Sequence, residues 1–183
     1  MTGAGTIWTI GHSTRTQEEF LDVLSVHGLS AIADVRRFPG SKRHPHFARE
    51  ALEQSLPANG VEYLWLPQLG GRRRPRKDSR NDGWRNEAFR GYADHLDSAE
   101  FDEGLQLLVA LAAGRRAAMM CSELLWWRCH RSLVSDVPKA RGWTVLHVVD
   151  ASPPKEHPWT GPARIVEGRL DYSAPGGSGD LFG

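Results

Sequence analysis

Two cysteines among 183 residues are too few for a disulfide scaffold and fit a chain kept reduced. No apolar run approaches the ~20 residues of a membrane span. Met1–Thr6 has neither the basic nor the apolar region of a secretory signal. The chain is therefore expected to be cytoplasmic and to make no use of a membrane. It also lacks an excess of one charge: a net charge of +1 excludes a globally basic protein, although local patches stay open. Neither G-x-x-x-x-G-K-[ST] nor G-x-G-x-x-G occurs, so a P-loop and a standard dinucleotide site are unsupported. There is no internal repeat. What remains is an ordinary globular balance, 40% hydrophobic and 25% charged, long enough to bury one core.

The apolar pattern alternates between strand and helix periods. Thr6–Ile10 is β-branched and aromatic and stops at Gly11. Thr16-Gln-Glu-Glu19 is a capping box, followed by Phe20, Leu21 and Leu24 at helical spacing and by Gly28 as a stop. Ala31–Val35 and Val61–Leu66 read as strands, with a helix over Phe47–Leu56 between them that Pro57 and Gly60 end. Arg72–Arg85 is predicted to be a long, mobile loop. Helices are expected over Glu87–His95 and Glu100–Ala113, and a buried strand over Ala117–Cys121. A further helix starts between Trp127 and His130 and runs to about Asp136, where Pro138 disturbs its end. Thr144–Val149 completes a set of about five strands. The pattern predicts a three-layer, Rossmann-like α/β domain over residues 1–150 with a mostly parallel sheet. Residues 151–183 read as a linker, a small hairpin about Glu167–Gly168 and a flexible tail, not an independent domain.

Each strand ends in polar residues, glycine or proline: Gly11-His12-Ser13, Asp34 with Arg36, Pro67 with Gly70-Gly71, and Cys121 with Glu123. In a parallel sheet these ends share one edge, where open α/β folds place their sites. Cys129 would lie near a helix N-terminus beside Arg128, His130 and Arg131, surroundings that favour thiolate over thiol. It is the candidate nucleophile, with Glu123 and His12 as proton-transfer groups and Cys121 and His130 beside them. Cys121, at the end of a buried strand, is equally well a small core residue. Arg36 and Arg131, with Ser13, Asp34, Ser41, Gly70 and Gly71, form a candidate anion- or substrate-binding set. The alternative is that Arg36 and Arg131 pair with Asp34 and Glu123 and merely hold the strand ends together.

Three further readings stay open. Cys121, Cys129, His130 and His12 could bind zinc with Glu123 as acid/base, but the spacing matches no strong zinc signature, so no metal is assigned. Arg72, Arg73, Arg74, Arg76 and Lys77, with Trp84, are either a solvated loop or a nucleic-acid face in which basic groups meet phosphates and the indole stacks on a base. Asp180-Leu181-Phe182 is a faint likeness to the peptides by which DNA-repair proteins hold the sliding clamp, which would make Leu181 and Phe182 a weak clamp contact.

Thr9-Ile-Gly-His-Ser13, Asp34-Val-Arg36 with Pro39-Gly-Ser41, Leu66-Pro-Gln-Leu-Gly-Gly71 and Cys121-Ser-Glu123 with Cys129-His-Arg131 together resemble the Domain of Unknown Function 488 family, over about residues 6–150. The resemblance implies an α/β fold and groups the four blocks; no settled activity comes with it. Between the cysteines, Leu124-Leu-Trp-Trp127 stands in place of a proline-containing connection. The residues lead to the expectation of an enzyme acting on a nucleotide or nucleic acid through a Cys/Glu/His/Arg site, by hydrolysis, elimination or thiol chemistry. A non-catalytic DNA- or RNA-binding module and a thiol redox sensor are the alternatives.

Overall fold

The protein is described by a computed structural model covering residues 4–176. The five expected strands are present: β1 (Thr6–Gly11), β2 (Ala31–Asp34), β3 (Glu62–Trp65), β4 (Ala117–Cys121) and β5 (Thr144–Val148). They form one parallel sheet in the order β3-β2-β4-β1-β5. A sixth strand, β6 (Lys155–Glu156), adds antiparallel to β5 at the edge. It lies in the segment whose prolines suggested a linker: Pro153 and Pro154 precede it and Pro158 follows it, so both ladder residues keep their N–H groups. β7 (Arg164–Val166) and β8 (Arg169–Asp171) form the small hairpin, turning at Glu167-Gly168 with both residues at positive φ.

Helices cover both faces of the sheet. α1 (Gln17–Val26) starts at the predicted capping box: Thr16 accepts from the Glu19 N–H, and Glu19 accepts from the Thr16 N–H at 2.8 Å. With α2 (Arg49–Ala58) it buries Phe20, Leu24, Leu52 and Leu56 against Trp8, Ile10, Ile32 and Met120. On the other face, α3 (Glu87–His95), α4 (Ala99–Gly114) and α5 (Arg131–Ala140) bury Tyr92, Phe101, Leu105, Leu108 and Leu133 against Ile7, Val35 and Met119. Period-2 alternation in β4 explains the split: Met119 and Cys121 join one core, Ala118 and Met120 the other.

Prolines act more weakly than the sequence suggests. Pro57 lies inside α2 and Pro138 inside α5. Each sits in the last turn, where later N–H groups still close it, Gly60 to the Pro57 carbonyl and Arg141 to the Pro138 carbonyl. A separate 3-10 turn (Pro45–Phe47) precedes α2, which delays the helix start to Arg49.

α1 and α2, which follow β1 and β2, lie on one face, whereas α5, which follows β4, lies on the other. β4 sits between β1 and β2, so crevices open on both of its sides at the carboxyl edge, as at a topological switch point. The ladder extends past the strands there: His12 N–H donates to the Cys121 carbonyl at 2.8 Å, Ser13 to Ser122 at 3.0 Å and Val35 to Met120 at 3.0 Å. At Gly11 the Glu123–Leu124 backbone crosses so closely that a Cβ would stand 1.8 Å from the Glu123 oxygen. Gly11→Ala is therefore expected to cost about 3 kcal/mol or more through forced backbone displacement. Denaturant unfolding would measure this, and a near-neutral result would contradict the crossing.

Candidate active site

A cleft of about 770 Å³ lies over the carboxyl ends of β1, β2 and β4. Of the residues expected at the site, His12, Ser13, Arg36, Ser41, Gly71, Cys121, Glu123, Cys129 and His130 line it, and Arg72 reaches it from the basic run. Asp34, Gly70 and Arg131 do not; they stand behind its wall.

Cys129 precedes α5, and its sulfur is 2.8 Å from that of Cys121. It also takes the Arg131 backbone N–H at 3.5 Å and faces His130 Nδ1 at 3.5 Å. His130 Nε2 contacts the Val35 carbonyl at 3.0 Å. A carbonyl only accepts, so Nε2 carries the proton and Nδ1 is the atom presented to the sulfur. Gly71 leaves room for this ring: a Cβ there would stand 3.0 Å from Nδ1. Burial opposes ionisation of Cys129, but the Cys121 hydrogen bond, then His130 and Arg131, hold its pKa well below the usual thiol range. Burial and the neighbouring Cys129 sulfur push Cys121 the other way. The surroundings therefore favour the thiolate at Cys129 and the protonated thiol at Cys121.

Arg131 is fully buried, at 0% exposure. Nη2 donates to the Glu123 backbone carbonyl at 2.5 Å and Nη1 to Thr9 Oγ1 at 3.3 Å, while Nε has no partner among the described residues. The expected pairing with the Glu123 carboxylate does not form; that carboxylate is exposed in the cleft, and only its backbone serves Arg131. Burial disfavours the charge on Arg131, and the two sulfurs restore it. Its position suits a counter-charge to the thiol pair, not a clamp on a ligand in the cleft.

Arg36 is bound as the structural alternative expected. Nε and Nη2 donate to the two Asp34 carboxylate oxygens at 2.8 and 2.6 Å, and Tyr63 donates to Asp34 at 2.6 Å. Nη1 donates to His12 Nε2 at 3.3 Å. A guanidinium only donates, so His12 Nε2 is the acceptor, and Nδ1–H donates to the Ser13 carbonyl at 2.8 Å. His12 is stacked on Phe47 at 4.2 Å. Burial first, then Arg36, lower it from 6.5 to about 4. It is neutral near pH 7, with its lone pair turned to Arg36.

A hydrogen-bonded chain absent from the sequence reading continues behind Arg131. Thr9 Oγ1 meets His147 Nδ1 at 2.7 Å, His147 Nε2 meets His157 Nδ1 at 2.8 Å, and His157 Nε2 meets Asp136 Oδ1 at 2.8 Å. Thr160 Oγ1 and Tyr172 Oη also donate to Asp136, at 2.5 and 2.8 Å. Because Arg131 only donates and carboxylate only accepts, neutral rings satisfy every link in one direction, from Arg131 through Thr9, His147 and His157 to Asp136. Burial, His157 and Arg131 lower His147 from 6.5 to about 2, which keeps its ring neutral.

The remaining basic run is a long loop without helix or strand, as expected, and it is tied to α3. Asp94 gathers it, accepting from the Arg76 N–H at 2.8 Å, Ser79 at 2.6 Å and Asn81 at 2.7 Å. Arg73 pairs with Glu100 at 3.1 Å; Arg74, Arg76 and Lys77 are exposed outside the cleft. Trp84 packs against Phe89 and Tyr172, so its ring serves the loop's own packing. The exposed aromatic in the cleft is instead Phe38, whose place beside Arg36 in sequence was its one visible signal. Among the described residues, no three His, Cys, Asp or Glu side chains converge as metal ligands do, and no helix is long and apolar enough to cross a membrane. Leu181 and Phe182 lie outside the described residues.

Fold and cleft together define an α/β domain that holds a polarised cysteine pair and buried arginines at the carboxyl edge of its sheet. The chain belongs to the family described as Domain of unknown function DUF488, whose sequence profile matches residues 16–137. The blocks at Asp34–Ser41, Leu66–Gly71 and Cys121–Arg131 fall within that match; Thr9–Ser13 precedes it. Neither a curated protein nor a solved structure matches the chain.

The neutral histidines have a pH consequence. The unfolded chain protonates them below about pH 6.5, whereas the folded protein does not until about 4 (His12) or 2 (His147). In that interval the unfolded state binds more protons, so stability falls as pH falls. Each ring contributes a slope of up to about 1.4 kcal/mol per pH unit. Urea unfolding at pH 7 and pH 5 should show this loss, and His147→Gln should reduce it; a flat profile contradicts neutral rings. Asp136→Asn is expected to cost about 3 kcal/mol in the same assay, since it sets an amide against four donors, His157, Tyr172 and both the N–H and the hydroxyl of Thr160.

Proposed function

We propose that the protein is a thiol-dependent enzyme acting on a phosphate-bearing substrate, a nucleotide or nucleic acid, with Cys129 as its nucleophile. The observation that carries this reading is Cys129 itself, a cysteine at a cleft wall with Cys121, His130 and Arg131 all favouring its thiolate. Substrate charge is argued from the lining: Arg36, Arg37, Arg43, Arg72 and Arg128 face the cleft with Glu123 as the one carboxylate among the lining residues. Of these, Arg37, Arg43, Arg72 and Arg128 are exposed and free to meet phosphate oxygens. In this mechanism His130 Nδ1 takes the Cys129 thiol proton, the thiolate attacks an electrophilic centre of the substrate, and the departing group takes that proton from the His130 imidazolium, with the Glu123 carboxylate available to accept a proton from an attacking water. Cys121 and Arg131 hold the sulfur charged beforehand. Neutral His12 orients Arg36 and takes no proton near pH 7.

The 2.8 Å separation of the sulfurs favours a second reading, thiol–disulfide exchange, in which Cys121 resolves a mixed disulfide formed at Cys129.

Alkylation by iodoacetamide, followed by intact mass against pH, tests the nucleophile. Cys129 is expected to react with an apparent pKa well below the unperturbed ~8.5. The value should rise in Arg131→Lys, which keeps a charge in the buried site but loses the fork. Pyrophosphate should slow the reaction by occupying the arginine-lined cleft. An unreactive Cys129 in the folded wild type would remove the nucleophile from the proposal.

A further inference from the structure

Phe38, between exposed Arg37 and buried Pro39, is 64% exposed. Its ring is flanked by two guanidiniums, Arg37 with Cζ 5.6 Å from the ring centroid and Arg72 with Cζ 5.9 Å. The two arginines are tied together, Arg37 Nη1 donating to the Arg72 carbonyl at 3.2 Å. Arg72 reaches this place with φ of +60°, a left-handed conformation that costs a non-glycine residue free energy. Ser13, which also lines the cleft, is the second such residue, at +53°. An apolar ring left in water and a strained arginine beside it both work against folding, and among the described residues only the two guanidiniums lie against the ring.

We infer that Phe38, Arg37 and Arg72 form a stacking platform for an unpaired nucleobase whose adjoining phosphate is met by the two arginines. The inference rests on the phosphate-bearing substrate proposed above and narrows it. A phenyl face accepts any base, since every base has a π-face, and guanidiniums supply both cation–π contact and bidentate phosphate contact. Within a duplex those base faces are covered by their neighbours, so the platform takes only an exposed base. Phe38 and Cys129 line the same cleft, which places a base on the platform in the compartment that holds the thiolate. Two sources present this chemistry, a free nucleotide and an unpaired base within a strand.

The test compares a fluorescent thymidylate strand of about 12 nucleotides, within the span of one single-strand site, with an abasic strand carrying the same number of phosphates. Wild type is expected to prefer the thymidylate strand by roughly five- to 150-fold, the range that one stacked base supplies. Phe38→Ala should erase the preference while leaving abasic binding unchanged, and Phe38→Trp should keep it. A duplex of the same length should bind like the abasic strand. Thymidine monophosphate competing in wild type but not in Phe38→Ala assigns the platform to free nucleotides; competition by the strand alone assigns it to nucleic acid. Equal binding of thymidylate and abasic strands by wild type, or equal loss of both in Phe38→Ala, overturns the platform. Alkylation of Cys129 in Phe38→Ala reads the nucleophile separately: a normal profile with no base preference in wild type sinks the platform alone.

Discussion

A guanidinium with no carboxylate against it among the described residues, sealed from water, is the constraint around which the carboxyl edge of this sheet is arranged. An isolated buried charge is among the most costly things a fold can contain, and packing alone does not offset it. Arg131 is made tolerable by backbone carbonyls from the crossing at Glu123–Leu124, by the cysteine pair, and by the one-way chain ending at Asp136. The same need explains why Cys129 is polarised. A thiolate and a guanidinium buried together each reduce the cost of the other, so acidity at Cys129 and charge at Arg131 are two views of one pairing.

The topology supplies the place. β4 carries Cys121 between two strands whose following helices lie on the opposite face from α5, so the chain leaving β4 must cross the end of β1. Gly11 permits that crossing, and the crossing delivers both the Glu123 carbonyl to Arg131 and the Glu123 carboxylate to the cleft. One residue thereby serves structure through its backbone and the open site through its side chain.

Much of this could be read from the chain where the controlling physics is local. The capping box at Thr16–Glu19, the β-branched run ending at Gly11 and the polar strand ends each declare themselves within a few residues, and parallel pairing gathers them at one edge. Cys129 beside a helix start is equally local. Register is not: Thr9 stands directly across from His147 only because β1 and β5 pair as they do, and His157 arrives from the edge strand beyond. Those residues read as core or linker one at a time. The partner of Arg131 stays open in the sequence for a related reason, since proximity to Glu123 does not distinguish a carboxylate from a carbonyl. Asp94, which ties the basic run to α3 through three hydrogen bonds, lies on a helix in which nothing local marks that role.

The buried chain behind the cysteines also sets an order of assembly. Its acidic end is closed by Thr160 and Tyr172, and its middle by His157, all of which follow the last parallel strand. A chain growing from its amino end therefore lays down the parallel sheet, its helices and both cysteines before the groups that complete the hydrogen-bonded chain behind them exist. Without residues 157–172, Asp136 lacks its His157, Thr160 and Tyr172 donors and His147 lacks the acceptor for its Nε2–H. The chemistry of the thiol pair is thus completed last, by residues that never touch it.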